Sequence, residues 1–110
     1  MSMSRQILEQ VRDELASCGV ISSNREFCVS WLAKDPSYMR GLRFRDLPPS
    51  ADALATCASK LGYYAYHFNK SSQPEQRDWS ERFYRLRSLC QQAMETQARA
   101  KWMTVERMGL

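Results

Sequence analysis

Glycine and proline are scarce, four of each in 110 residues, and apolar and polar side chains never alternate for more than a few positions. A chain so poor in turn formers and in period-two patterning is not assembled from short strands. Histidine occurs once, at His67, and the four cysteines, Cys18, Cys28, Cys57 and Cys90, lie far apart with no Cys-x-x-Cys pair. Zinc sites need closely spaced ligand pairs, so this distribution argues against one. Cys18, Cys28 and Cys57 read instead as small core residues on apolar helix faces. No apolar run approaches the roughly 20 residues that cross a bilayer. Residues 1–10 are polar and carry no apolar signal-peptide segment. A cytoplasmic protein without a membrane partner is the expectation.

Signatures of catalysis are missing as well. The chain has no phosphate-binding glycine loop, no nucleophile elbow, no paired carboxylates beside an apolar stretch and no metal motif. It reads as a non-enzyme with no cofactor.

What is present is helical spacing. Apolar residues make up 44% and charged residues 25%, the composition of one folded domain with one core. The net charge of +4 is a mild bias toward an anionic partner. Ile7, Leu8, Val11 and Leu15 form the apolar stripe of a first helix over 4–17, with Arg5, Glu9, Arg12 and Asp13 on its polar side and Gly19 as its terminator. Ser23 and Glu26 form a capping box, the serine oxygen taking the amide of Glu26 and the glutamate reaching back to the Ser23 amide. The helix it opens presents Phe27, Cys28, Trp31 and Leu32. Asp35-Pro36 is the next start signal, an N-cap with proline at the first helical position. It predicts a short helix over 36–44 with Met39 and Leu42 inward, stopped by Leu47-Pro48-Pro49. Ser50 caps a fourth helix with Leu54, Cys57, Ala58 and Leu61 inward, either continuous to Asn69 or ended by Gly62.

This order carries Arg25-Glu26-Phe27-Cys28, the turn 33–37, Met39, and Pro49-Ser50 followed by Leu54, Ala58 and Leu61-Gly62. Over residues 4–62 it resembles the lambda-repressor-like (Cro/repressor) helix-turn-helix family. The turn is about one residue longer than is usual there, and Ala33 stands where glycine is common. The opening S-x-R-E-F-x-x-x-W-L (residues 23–32) also looks like that of small bacterial proteins of unknown function. The first likeness implies a helix-turn-helix core whose helix 36–44 reads double-stranded DNA.

The residues themselves give that helix two readings. With Met39 and Leu42 buried, Ser37, Arg40, Gly41 and Phe44 fall outward and Tyr38, Arg43 and Arg45 flank them. Arg40 and Arg43 suit base edges, Gly41 permits close backbone approach, and Lys34, Ser37 and Tyr38 suit phosphates. Arg45 completes the predicted DNA-binding set. The other reading is a solvated or protein-binding face, for which the outward Phe44 argues. The aromatic run Tyr63, Tyr64, Tyr66, His67, Phe68 reads as core or dimer contact, or as a stacking surface for single-stranded bases.

Residues 70–76 read as a loop and 77–110 as one long helix, after a helix-turn-helix-like domain over 1–69. Trp79, Phe83, Leu86, Cys90 and Ala93 recur at steps of four and three, a seam that Gln97 interrupts. A helix of that length overshoots a domain of this size, which predicts a homodimer joined through Trp79, Phe83, Leu86 and Cys90; the alternative is that the helix folds back on its own core. The expectation is thus an all-α, dimeric regulator of transcription that binds double-stranded DNA, or a small helical adaptor or inhibitor that binds a protein partner.

Overall fold

The computed structural model describes residues 2–109 and contains no strand among them. Helix α1 (Met3–Ser17) opens on Ser2, whose hydroxyl accepts the Arg5 amide at 3.1 Å. It buries Leu8, Val11 and Leu15 completely. Gly19 follows in the left-handed conformation, φ 76°, where a side chain would be strained. Arg5 departs from expectation: it lies on the covered side of α1 and is only 7% exposed.

The second helix begins as Asn24–Glu26 and widens into a π-helical segment, Phe27–Trp31; the two together are α2 (24–31). Ser23 caps it, its Oγ accepting the Glu26 amide at 3.1 Å. The Glu26 carboxylate returns to the amide of Ser22 at 2.8 Å rather than that of Ser23, so the box closes one residue earlier than the motif suggests. Phe27, Cys28, Trp31 and Leu32 are buried. The chain then turns through Ala33, which holds a left-handed φ of 54°.

Helix α3 (Tyr38–Arg45) starts two residues later than Asp35-Pro36 suggests. Asp35 still acts as a local cap, because its carboxylate accepts both the amide and the hydroxyl of Ser37, at 2.9 and 2.6 Å. These bonds fix a turn ahead of the helix rather than the first helical turn. Met39 and Leu42 face inward, and Asp46 ends the helix at φ 53°.

Helix α4 (Ala51–Asn69) is capped by Ser50, which accepts the Ala53 amide at 3.1 Å, and runs unbroken through Gly62. A Cβ at Gly62 would stand 3.2 Å from the side chain of Arg87, which would have to shift slightly to admit it. Helix α5 (Pro74–Trp102) begins with proline in its first turn, earlier than the expected 77, and stops at Trp102. Thr104 then caps a separate last turn, α6 (Val105–Met108).

Helices α4 and α5 form an antiparallel hairpin, and α1 lies along α5. The hairpin corrects the expected dimer seam. Phe83, Leu86 and Cys90 are 1%, 0% and 0% exposed inside their own chain, and Trp79 packs half-buried beside them. Phe83 sits among Phe68, Trp79 and Trp31, at centroid distances of 5.5, 6.1 and 6.4 Å. An apolar stripe needs an apolar partner, and α4 supplies it. Ser80 donates to the Ala65 carbonyl at 2.7 Å across the same interface. Gln97 does not merely interrupt the seam, since its side-chain amide donates to the Pro49 carbonyl at 3.0 Å and ties α5 to the turn before α4. Cys57 and Cys90 meet across the hairpin, where a shared hydrogen bond and burial push the Cys57 thiol well up. Cys18 is only half-buried and bonds back to the Glu14 carbonyl. Among the described residues, no helix is long and apolar enough to cross a membrane.

Candidate functional site

The expected DNA-binding residues fall into two groups around α3. Lys34, Ser37 and Tyr38, expected to meet phosphates, are engaged within the chain. Lys34 Nζ lies 3.0 Å from the Asp52 carboxylate, and that hydrogen bond raises its pKa. Ser37 is held by Asp35. Tyr38 Oη accepts the Ser50 amide at 2.9 Å, joining the start of α3 to the start of α4. Their role in the structure is to fix the turn geometry on both sides of α3.

Arg40, Arg43 and Arg45 are exposed, and none of them takes part in an ion pair among the described residues. Gly41 lies between them, and the Arg45 guanidinium passes 3.6 Å from where its Cβ would stand, an ordinary contact. Phe44 is 89% exposed. Shallow grooves run along this face, one lined by Ser37, Arg40, Gly41, Phe44 and Arg45. A second is lined by Asn24, Arg25, Asp35, Pro36, Ser37 and Arg40. Arg25 is therefore a member of the cationic face that the sequence expectation leaves out. The signal for it is the Ser23 cap, which fixes where α2 starts and hence which side Arg25 occupies.

One carboxylate lies within this face. Hydrogen bonds from Ser37 hold the Asp35 carboxyl below the usual carboxylate range, helped by the positive charges of Arg25 and Arg40. It lies in the turn just ahead of α3, close to where a phosphate at the helix start would be received. Arg25 and Arg40 share its groove, while Arg43 and Arg45 project further along α3.

The far end of α3 is clamped from α1. Arg5 Nη1 donates to the Leu42 carbonyl at 3.3 Å and to Asp46 Oδ1 at 2.9 Å. Arg5 Nε lies 3.4 Å from Glu9. The guanidinium beside Asp46 holds that carboxyl below its ordinary range. Nothing local in the sequence signals this bond, because its partners are 41 positions apart.

The aromatic run on α4 is not core as a whole. Tyr63 and Tyr66 are 60% and 51% exposed, whereas Phe68 packs against the core and Tyr64 lies on the buried Trp31, with ring centroids 5.7 Å apart. Among the described residues no group of three or more His, Cys, Asp or Glu side chains could hold a metal ion.

Such a scaffold is an all-helical platform that presents one short arginine-bearing helix. The chain belongs to the family of unknown function DUF6626, matched over residues 8–103. No curated protein and no solved structure gave a significant match.

Proposed function

We propose that the protein binds double-stranded DNA sequence-specifically, as a transcriptional regulator, with α3 entering the major groove. What supports this reading above all is the cationic face of α3: Arg40, Arg43 and Arg45 project from one short helix without ion-pair partners among the described residues. Unpaired guanidinium groups can donate in pairs to guanine edges or to phosphates. Arg25 extends the same charge along the neighbouring groove. The helix is held at both ends, by Asp35 and Tyr38 at its start and by Arg5 at its end, and a rigid reader needs such support. Phe44 fits this reading as an apolar contact to a thymine methyl group.

The exposure of Phe44 also favours a second reading, a helical module that binds an acidic protein through an aromatic anchor ringed by arginines. Salt separates the two. Selection of a DNA site from random sequence, followed by affinity measurements, is expected to give a binding constant that falls steeply with salt. On that site Arg40→Ala and Arg43→Ala should each cost about 1–3 kcal/mol, the value of a good bidentate base contact. Unchanged affinity in the double variant would remove α3 as the reader. Failure to select any site, with a protein captured through Phe44, would favour the second reading.

A further inference from the structure

Helices α4 and α5 approach each other closely. Ser80, whose hydroxyl stands one carbon from its backbone, still reaches the Ala65 carbonyl of the facing helix at 2.7 Å. Small buried side chains, Ala58 and Ala65 on α4 and Ser80 and Ala93 on α5, permit that approach. Ser80 against Ala65 and Arg87 against Gly62 set an antiparallel register. Continued toward the start of α4, it brings Cys90 level with Cys57. Both cysteines are 0% exposed, and the Cys57 thiol donates to the Cys90 sulfur.

Free cysteine commonly packs as a small hydrophobe, but two sulfurs in contact on facing helices can also share a bond. A disulfide requires Cα atoms about 4.4–6.8 Å apart and side chains turned toward each other. An interface where a serine spans to the opposite backbone, and where two thiols already meet, provides that approach and that orientation. The other two thiols are placed differently: Cys18 bonds back to the Glu14 carbonyl of its own helix, and Cys28 belongs to α2. The hydrogen bond from Cys57 holds the Cys90 thiol below its ordinary range despite burial, whereas Cys57 is pushed up. Cys90 is thus the sulfur that more readily becomes a thiolate, the nucleophilic form.

We infer that Cys57 and Cys90 form a redox-sensitive disulfide that clamps α4 to α5, made by hydrogen peroxide and broken by thiols. The Cys90 thiolate attacks one peroxide oxygen. The O–O bond breaks, and hydroxide leaves and takes up the proton that Cys90 lost, as water. The Cys57 sulfur then attacks the sulfur of the resulting sulfenic acid. The S–S bond forms and the S–O bond breaks, releasing a second water that carries the Cys57 proton. The two thiols lose two electrons, and peroxide is reduced to two waters. Both sulfurs are covered, so oxidant and reductant reach them only when the hairpin opens. The crosslink therefore forms slowly and, once closed, is shielded. It does not depend on the DNA reading, because α3 contributes no atom to it.

The full chain, reduced and freed of reductant, is exposed to a few equivalents of hydrogen peroxide for hours. Remaining thiols are then alkylated and the chain is mapped by tryptic digestion and mass spectrometry. One disulfide joining the Cys57 and Cys90 peptides is expected, reversed by dithiothreitol and accompanied by a melting temperature several degrees higher. Parallel incubation in a glutathione redox buffer close to the melting temperature, where the core opens and closes, removes access as a limit. Two free thiols under both conditions, oxidation of Cys90 without a crosslink, or a disulfide through Cys18 or Cys28 instead would each overturn the inference. Cys57→Ser leaves Cys90 without its resolving partner, so dimedone should trap Cys90 as the sulfenic acid. Labelling of Cys57 just as strong in Cys90→Ser would overturn the order of attack. Cys57→Ala and Cys90→Ala replace these variants if serine costs the chain its helical circular dichroism.

Discussion

Ser22 and Ser23 are neighbours whose atoms do different things. The Ser23 side chain accepts the Glu26 amide, whereas Ser22 contributes only its backbone N–H, to the Glu26 carboxylate. Ser23→Ala is therefore expected to lower stability by about 0.5–2 kcal/mol, the usual cost of losing an N-cap. Ser22→Ala keeps its donor and should leave the melting temperature unchanged; equal shifts in the two variants would contradict this assignment. Ala33 poses the opposite case, since a left-handed alanine costs roughly 1–2 kcal/mol. Glycine relieves that strain but adds freedom to the unfolded chain, worth about 0.4–1 kcal/mol. Ala33→Gly should still raise stability slightly in a denaturant titration, and a loss would mean the turn depends on the methyl group. Caps of this kind are legible in sequence because donor and acceptor lie within a few residues. Arg5 is the counterexample: its spacing assigns it to the polar side of α1, and its burial depends on the distant Leu42 carbonyl and Asp46.

Helix α3 shows how an element can be tuned against its own stability. Gly41 has only an ordinary contact with Arg45 in the way of a Cβ, so packing does not require glycine there. Gly41→Ala should stabilise the fold by up to about 1 kcal/mol through helix propensity. If α3 lies in a groove, the same change should weaken DNA binding; melting and binding measured on one variant separate these effects. The clamp at the other end of α3 makes stability depend on pH. Arg5 depresses the Asp46 pKa in the folded chain. The group's contribution is thus complete above the unfolded carboxylate value, about 3.9. It is lost as pH falls from there through the depressed folded value. Asp46→Asn should lower the melting temperature at pH 7, and the gap to wild type should close in acid. A gap that persists at the lowest pH would show that charge is not what Asp46 contributes. Element boundaries were legible where a serine cap stands, at Ser23 and Ser50. They were not legible at Pro74, because Ser71, Ser72 and Gln73 extend the loop composition up to a proline that in fact opens α5. Thr104 is a local cap, yet the unbroken run of helix formers before it masks the break at Met103.

For the molecule as a whole, the apolar stripe of α5 is plain in the sequence, but the surface that covers it is not. Trp79, Phe83, Leu86 and Cys90 have the same spacing whether their partner is α4 or another chain. Their burial against α4 changes what a charged substitution should do. Phe83→Asp with Leu86→Asp places two carboxylates in the core without partners, which should unfold the chain rather than release a folded monomer. Circular dichroism should show loss of helix; a folded monomer would return these residues to an interface between copies. The arginine-bearing helix was likewise legible as a face, while its partition into anchored residues (Lys34, Ser37, Tyr38) and projecting ones (Arg40, Arg43, Arg45) depends on contacts with Asp52, Asp35 and Ser50. The reach of α5 has a consequence of its own. Its buried positions end at Ala93 and its last tie to the preceding helices is Gln97, yet the helix continues to Trp102 with every later side chain exposed. Backbone amides from about Phe83 to Gln97 should therefore exchange with solvent deuterium only when the whole core opens, whereas those of the last helical turn should exchange by local fraying, orders of magnitude faster. One helix would then contain both slow and fast amides, with the boundary set by where its neighbour begins.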